Sequence, residues 1–139
     1  MPDLNQLATK QYDENTTYDE LVHFVHVFVV EPHPESPDPS PYTGTVWEMI
    51  YSTKNQAFTY DERVATAREI DPLLKGTQLL LVDDLVPGAL NNPVWCTYGP
   101  CPNCAYLIRQ DGTIDTTQEW FKNKEMEMET AINGLLGGN

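Results

Sequence analysis

The longest apolar run in the chain, residues 21–30 (LVHFVHVFVV), contains neither Gly nor Pro. Its β-branched and aromatic side chains predict a strand, and its near-continuous apolarity is typical of the buried interior of a parallel sheet. Residues 78–82 predict a second short buried strand, and residues 104–109 predict a third. The Gln-Asp-Gly turn at residues 110–112 then leads into residues 113–115, which predicts a β-hairpin.

Helical spacing of apolar residues alternates with these strands. Three segments show it, residues 3–11, 59–74 and 122–136, and a shorter turn or helix is predicted for residues 93–98. The second segment begins with a capping box, Thr59 with Glu62 three residues later. The resulting order of helices, strands and hairpin predicts an α/β domain with crossover helices.

Length and charge limit the classes of partner. The chain has 139 residues, of which 40% are hydrophobic, so a single domain spanning residues 1–139 with its own core is expected. With 21 acidic and 8 basic residues the net charge is −13, and we expect no nucleic-acid partner because phosphate binding relies on Lys and Arg. The longest apolar run is too short to cross a bilayer, and no secretory signal is visible. We therefore expect no membrane partner and a cytoplasmic location for the chain as it stands.

The three cysteines, Cys96, Cys101 and Cys104, suggest several kinds of chemistry. An odd number cannot pair completely within one chain. A redox CxxC pair normally sits at a helix N-terminus, whereas residues 101–104 lead into a predicted strand, where positions three apart face opposite sides. A non-catalytic pair is therefore favoured. We expect Cys96 and Cys104 to pack as small apolar side chains.

Metal sites are also open to these cysteines. An iron–sulfur cluster of this spacing needs a fourth cysteine, which the chain lacks. A zinc site that borrows His33 or His26 stays open, although nothing in the sequence places these histidines near the cysteines. We therefore expect neither a metal nor a cofactor.

Glu31 and His33 are the best candidates for proton chemistry. They follow the predicted strand at residues 21–30, and α/β folds bind ligands at the carboxyl ends of their strands. A histidine can donate or accept a proton near neutral pH, and a carboxylate nearby can orient it. The alternative is a proline-flanked loop without a role. Asp83 and Asp84, which follow another predicted strand, are interpreted as capping residues rather than as cation ligands.

Several segments resemble the iodothyronine deiodinase-like branch of the thioredoxin-like superfamily. Residues 28–34 (FVVEPHP) resemble that branch's strand that ends in Glu-x-His, and residues 59–64 (TYDERV) resemble the start of the branch's helix. Residues 81–84 (LVDD), 92–95 (NPVW) and 98–99 (YG) resemble the approach to its cis-proline loop. These matches follow one another in order over nearly the whole chain. They imply a thioredoxin-like sheet flanked by helices.

The resemblance also implies roles for individual residues. Glu31 and His33 would assist the family's nucleophile, and Pro102 would be the cis-proline beside the active-site loop. Cys101, which precedes Pro102, would face the nucleophile and act as a resolving or metal-binding thiol. The implied activity is that of a thiol-dependent oxidoreductase with a thiol reductant and a small-molecule substrate.

One departure from the family concerns the start of the chain. The first strand and the loop with the reactive cysteine or selenocysteine have no counterpart, since Met1-Pro2-Asp3 resembles the helix that follows them. We therefore expect an N-terminally shortened, inactive form of the domain. Because that strand is normally central, its loss leaves unpaired edges, and we expect either direct pairing of the remaining strands or a homodimer. The alternative function is a non-catalytic thioredoxin-like binding or structural domain.

Overall fold

The structure is a computed structural model that describes residues 2–35, 54–85, 92–99, 103–122 and 124–137. Within these ranges it contains helices and short strands, so the predicted α/β class is confirmed. In chain order the elements are α1 (Pro2–Ala8), α2 (Tyr18–Leu21), β1 (Val25–Phe28), α3 (Tyr60–Ile70), β2 (Leu79–Val82), α4 (Pro93–Tyr98), β3 (Ala105–Ile108), β4 (Ile114–Gln118) and α5 (Glu125–Leu136).

The chain divides into two compact units, one formed by residues 1–22 with 103–139 and the other by residues 23–102. The described strands form two sheets of two strands each, β1–β2 and β3–β4. The single domain and the thioredoxin-like arrangement of one sheet stay predictions. Within the described ranges, every helix is too short or too polar to cross a membrane.

In residues 23–102, β1 and β2 pair in parallel, with Val25 opposite Leu79 and Val27 opposite Leu81. The prediction of a buried strand over residues 21–30 is wrong in length and in burial. Leu21 ends helix α2, and the four paired side chains just named are 37–53% exposed. Alternate residues along each strand are half-buried, because a strand points successive side chains to opposite faces and only one face is covered.

Helix α3 begins at the predicted capping box. The Glu62 N–H donates to Thr59 Oγ1 (3.3 Å), and Glu62 Oε2 accepts from the Thr59 N–H (3.1 Å). The helix ends at Ile70, earlier than residue 74, and Pro72 lies in the 3-10 turn Asp71–Leu73 that follows. Proline has no N–H to continue the α-helical ladder. The residues of α3 that are buried are Arg63 and Ala67.

The other unit contains the hairpin of β3 and β4. The strands are antiparallel, with Leu107 opposite Thr116, and the Arg109 N–H donates to the Thr113 carbonyl across the turn (2.8 Å). The predicted hairpin is thus confirmed, with a second strand that extends to Gln118. Helix α5 packs against β3 and α1. The core of this unit includes Leu7, Ala8, Leu107, Met128 and Ile132.

Candidate functional site

Polar residues follow both parallel strands at the same edge of the sheet. Glu31 and His33 come after β1, and Asp83 and Asp84 come directly after β2. The Asp83 N–H donates to the Phe28 carbonyl (2.8 Å), which places the end of β2 beside the end of β1. Because α/β folds bind ligands at the carboxyl ends of their strands, this edge is the candidate site.

The backbone at Glu31 is held by the side chain of Gln56. The Glu31 N–H donates to Gln56 Oε1 (3.1 Å), and Gln56 Nε2 donates back to the Glu31 carbonyl (3.0 Å). A few residues later, the Glu35 N–H donates to the Lys54 carbonyl (2.8 Å). These bonds attach the segment before α3 to the segment after β1, so the position of Glu31 does not depend on its own strand alone.

The Glu31 carboxylate contacts the main chain of His33. Its Oε1 accepts a hydrogen bond from the His33 backbone N–H at 3.1 Å, and Pro34 behind this turn is fully buried. The sequence predicted that the two residues act together, and the structure places them in one turn. This hydrogen bond fixes the backbone that carries the imidazole.

Arg63 is a site residue that the sequence reasoning missed. It is only 1% exposed, and its Nη1 donates to the backbone carbonyls of Asp83 (3.0 Å) and Asp84 (3.2 Å). Burial lowers the pKa of the Arg63 guanidinium, while the negative charges of Asp83 and Asp84 oppose this shift. The signal that could have found it is helical spacing, since residue 63 shares a face of α3 with the buried Ala67 one turn later.

Asp83 caps a helix with its carboxylate. Asp83 is only 2% exposed. Its carboxylate oxygens accept hydrogen bonds from the N–H groups of Val94 (2.9 Å) and Trp95 (3.0 Å). These are the first N–H groups of α4, because Pro93 has none. The interpretation of Asp83 as a capping residue is confirmed, and the group that it caps is the N-terminus of α4.

A small cleft lies between the end of β1 and helix α3. Its volume is about 10 Å³, which is room for about one water molecule. Polar and apolar side chains share its wall, and Glu31 and Arg63 are both among them. The lining residues are Phe28, Val29, Glu31, Asn55, Gln56, Ala57, Arg63 and Thr66.

The cysteine segment is described only in part. Cys101 and Pro102, the predicted resolving thiol and cis-proline, lie outside the described residues. Cys96 is exposed on α4, so the expectation that it packs as a small apolar side chain is wrong, because the short helix turns this position outward. Cys104 is half-buried directly before β3.

Metal binding was the other interpretation of the cysteines and histidines. His26 Nε2 lies 2.7 Å from Gln78 Oε1 and shares a hydrogen bond with it. Across the described ranges, no three His, Cys, Asp or Glu side chains are grouped so that they could hold one metal ion.

The site thus offers a carboxylate, an imidazole and a buried guanidinium at one edge of a parallel strand pair. A carboxylate and an imidazole can transfer protons, and a buried guanidinium can position groups that accept hydrogen bonds. Comparison of the chain with protein-family models, with curated proteins and with solved structures finds no match.

Proposed function

We propose that the chain is a thioredoxin-like domain of the deiodinase-like oxidoreductase type, in which Glu31 and His33 assist a reacting thiol or selenol. The observation that carries this proposal is the order of strand pairings. A parallel pair, β1 and β2, is separated in sequence by helix α3. An antiparallel hairpin, β3 and β4, follows and leads into α5. This order agrees with the resemblance of the sequence motifs to the thioredoxin-like superfamily.

The proposed chemistry is attack of a thiolate on a disulfide or similar small-molecule substrate. In the disulfide case, the attacking sulfur forms a new S–S bond, the old S–S bond breaks, and the departing thiolate takes up a proton. His33 would supply that proton, and the turn fixed by Glu31 would hold the imidazole in place. Cys101 is the proposed resolving thiol: it would form an S–S bond with the attacking sulfur and release the remaining half of the substrate as a thiolate, and a second thiol compound would then reduce this new disulfide.

A thiol–disulfide exchange assay tests this proposal. The rate of reduction of a small aromatic disulfide is compared between the native chain and Cys101→Ser, with Cys96→Ser as the matched control because that thiol is exposed. A native rate above that of an equal concentration of a free thiol, which falls in Cys101→Ser and in His33→Gln and stays close to native in Cys96→Ser, would support catalysis by this chain. A native rate no higher than that of the free thiol would contradict catalysis by this chain, agree with the expected inactive form and favour the second candidate function below.

A second candidate function is a non-catalytic binding or structural domain, which acts as a homodimer. It is favoured by the apolar face that β1 and β2 expose, formed by Val25, Val27, Leu79 and Leu81. Parallel sheets are normally covered on both faces, and a second copy would supply the missing cover. Sedimentation equilibrium of the native chain and of Leu81→Lys tests this candidate. A monomeric native chain at all concentrations would exclude the dimer.

A further inference from the structure

The guanidinium of Arg63 has a buried nitrogen, Nε, that none of the described residues satisfies. Nη1 donates to two backbone carbonyls, but the Nε–H is buried and has no hydrogen-bond partner within the described ranges. A buried donor without a partner is costly, and a charged donor more so. Buried polar groups that lack a protein partner are commonly satisfied by an ordered water.

The cleft beside Arg63 has the size and the polar groups that such a water requires. Its volume of about 10 Å³ corresponds to about one water molecule. Glu31 lines the same cleft, and only one of its carboxylate oxygens, Oε1, is used by the His33 N–H. Within the described ranges no hydrogen bond involves Glu31 Oε2. A residue with an unpartnered donor and a residue with an unused acceptor therefore both line one small space.

We propose that this cleft binds one water molecule, which accepts a hydrogen bond from Arg63 Nε and donates one to Glu31 Oε2. The water joins the buried guanidinium on α3 to the carboxylate after β1. It thereby fixes the second oxygen of Glu31, as the His33 N–H fixes the first. The proposed water site does not depend on thiol chemistry, so its test is independent of the test of the proposed function.

An anion fits this cleft less well than a water. The negative charges of Asp83 and Asp84 already balance the positive charge of Arg63, and Glu31 adds a further negative group to the wall. A bound anion would add to this negative charge, whereas a water can accept from Arg63 and donate to Glu31 at once. Thr66 and Asn55, which carry polar side chains, also line the cleft.

A crystal structure of the native chain that resolves ordered waters gives the direct test. We expect a water within hydrogen-bonding distance of both Arg63 Nε and a Glu31 carboxylate oxygen. A dry cleft, or an Arg63 Nε–H that bonds directly to a protein atom, would overturn the proposal. An anion at this position would overturn the proposal as well. Crystals grown without halide salts distinguish a water from a halide ion in the electron density.

A solution experiment tests the same contact without relying on a lattice. In the NMR spectrum of the ¹⁵N-labelled chain, the Arg63 Nε–H should show a direct Overhauser cross peak to a long-lived water. Arg68, which is exposed on the same helix, is the matched control and should show exchange with solvent only. We expect the Arg63 cross peak to persist in Glu31→Gln, which keeps an acceptor oxygen, and to be lost in Glu31→Leu. Its absence from the native chain, or its full retention in Glu31→Leu, would contradict the proposed bridge.

Discussion

Arg63 contacts Asp83 through the backbone carbonyl of that residue, and the Asp83 carboxylate is directed to helix α4 instead. The guanidinium donates to the carbonyl at 3.0 Å, while the carboxylate accepts from Val94 and Trp95 at 2.9 and 3.0 Å. Both residues are almost fully buried. Asp83, the residue that follows β2, thus connects helix α3 to the N-terminus of α4.

Replacing Asp83 should therefore be among the most destabilising single changes in residues 23–102. Asp83→Ala leaves two α4 N–H groups without their acceptor, and the loss of a helix cap together with unsatisfied buried donors should cost about 1–3 kcal/mol. Asp83→Asn keeps one acceptor oxygen and should cost less. Urea unfolding followed by circular dichroism measures both. Asp84→Ala is the control at an exposed neighbour, and an equal loss in that variant would contradict a special role for Asp83.

Glu129 makes the stability of the other unit depend on pH. Lys10 Nζ donates to both of its carboxylate oxygens at 2.7 Å, and Tyr18 Oη donates at 3.1 Å. The hydrogen bond from Lys10, followed by that from Tyr18, lowers the pKa of the Glu129 carboxyl below its ordinary value of 4.5. A lowered folded-state pKa stabilises the folded chain above the unfolded-state value. That stabilisation is lost as the pH falls through the folded-state value.

The substitution Glu129→Gln isolates this contribution. We expect the variant to be less stable than the native chain at pH 7, and the difference in unfolding free energy to shrink steadily below about pH 4.5. Urea titrations between neutral and acidic pH measure this difference. Glu14→Gln, at an exposed position, should show little difference at any pH. A Glu129→Gln deficit that stays constant down to acidic pH would rule out the carboxylate charge as its origin.

Replacing Gly112 and Gly134 by alanine should change the free energy of unfolding in opposite directions. Gly112 in the hairpin turn has φ +87°, a conformation that costs a residue with a Cβ about 1–2 kcal/mol. Gly134 lies in α5, where an added Cβ would meet only open space, and alanine there should stabilise the helix by about 0.5–1 kcal/mol. Thermal unfolding of Gly112→Ala and Gly134→Ala measures both shifts. Changes of the same sign would contradict the turn or the helix.

The capping box of α3 gives a prediction about the helix that carries Arg63. Thr59→Ala removes the acceptor of the Glu62 N–H and should cost about 1 kcal/mol. Thr97→Ala is the control, because Thr97 is an exposed threonine inside α4, where alanine is well tolerated. Unfolding in urea compares the two. Equal effects would mean that the Thr59 hydroxyl does not stabilise α3.

Short sequence motifs predicted where helices and turns begin and end better than they predicted how deeply each element is buried. Thr59 with Glu62 gave the start of α3, residues 93–98 were predicted as the segment that α4 occupies, and the Gln-Asp-Gly turn gave the hairpin. Each depends on residues a few positions apart. The exposure of Val25 and Val27 was not predictable, because an apolar run alone does not tell how many faces of its sheet are covered.

The candidate site was predictable only for the residues that follow β1. Glu31 and His33 are neighbours in sequence and fall in one turn. Arg63 and Asp83 are 20 positions apart, and Gln56 is 25 positions from Glu31. Such partners are set by strand register and helix packing, which the sequence does not reveal by itself. The roles of Cys101 and Pro102 stay predictions.

The partly exposed apolar face of β1 and β2 has a consequence for the excess of acidic residues, because the net negative charge opposes association through this face. Four aliphatic side chains that stay in contact with water favour association of any two copies that meet face to face. A net charge of −13 makes such encounters repulsive, and salt weakens this repulsion beyond about 10 Å at 0.1 M. Close to the isoelectric point calculated from the sequence, about 4.3, the net charge and with it this repulsion disappear. Electrostatic repulsion between acidic surfaces therefore opposes hydrophobic association through this sheet face. Ionic strength and pH determine which of the two effects is stronger, and so whether two copies associate.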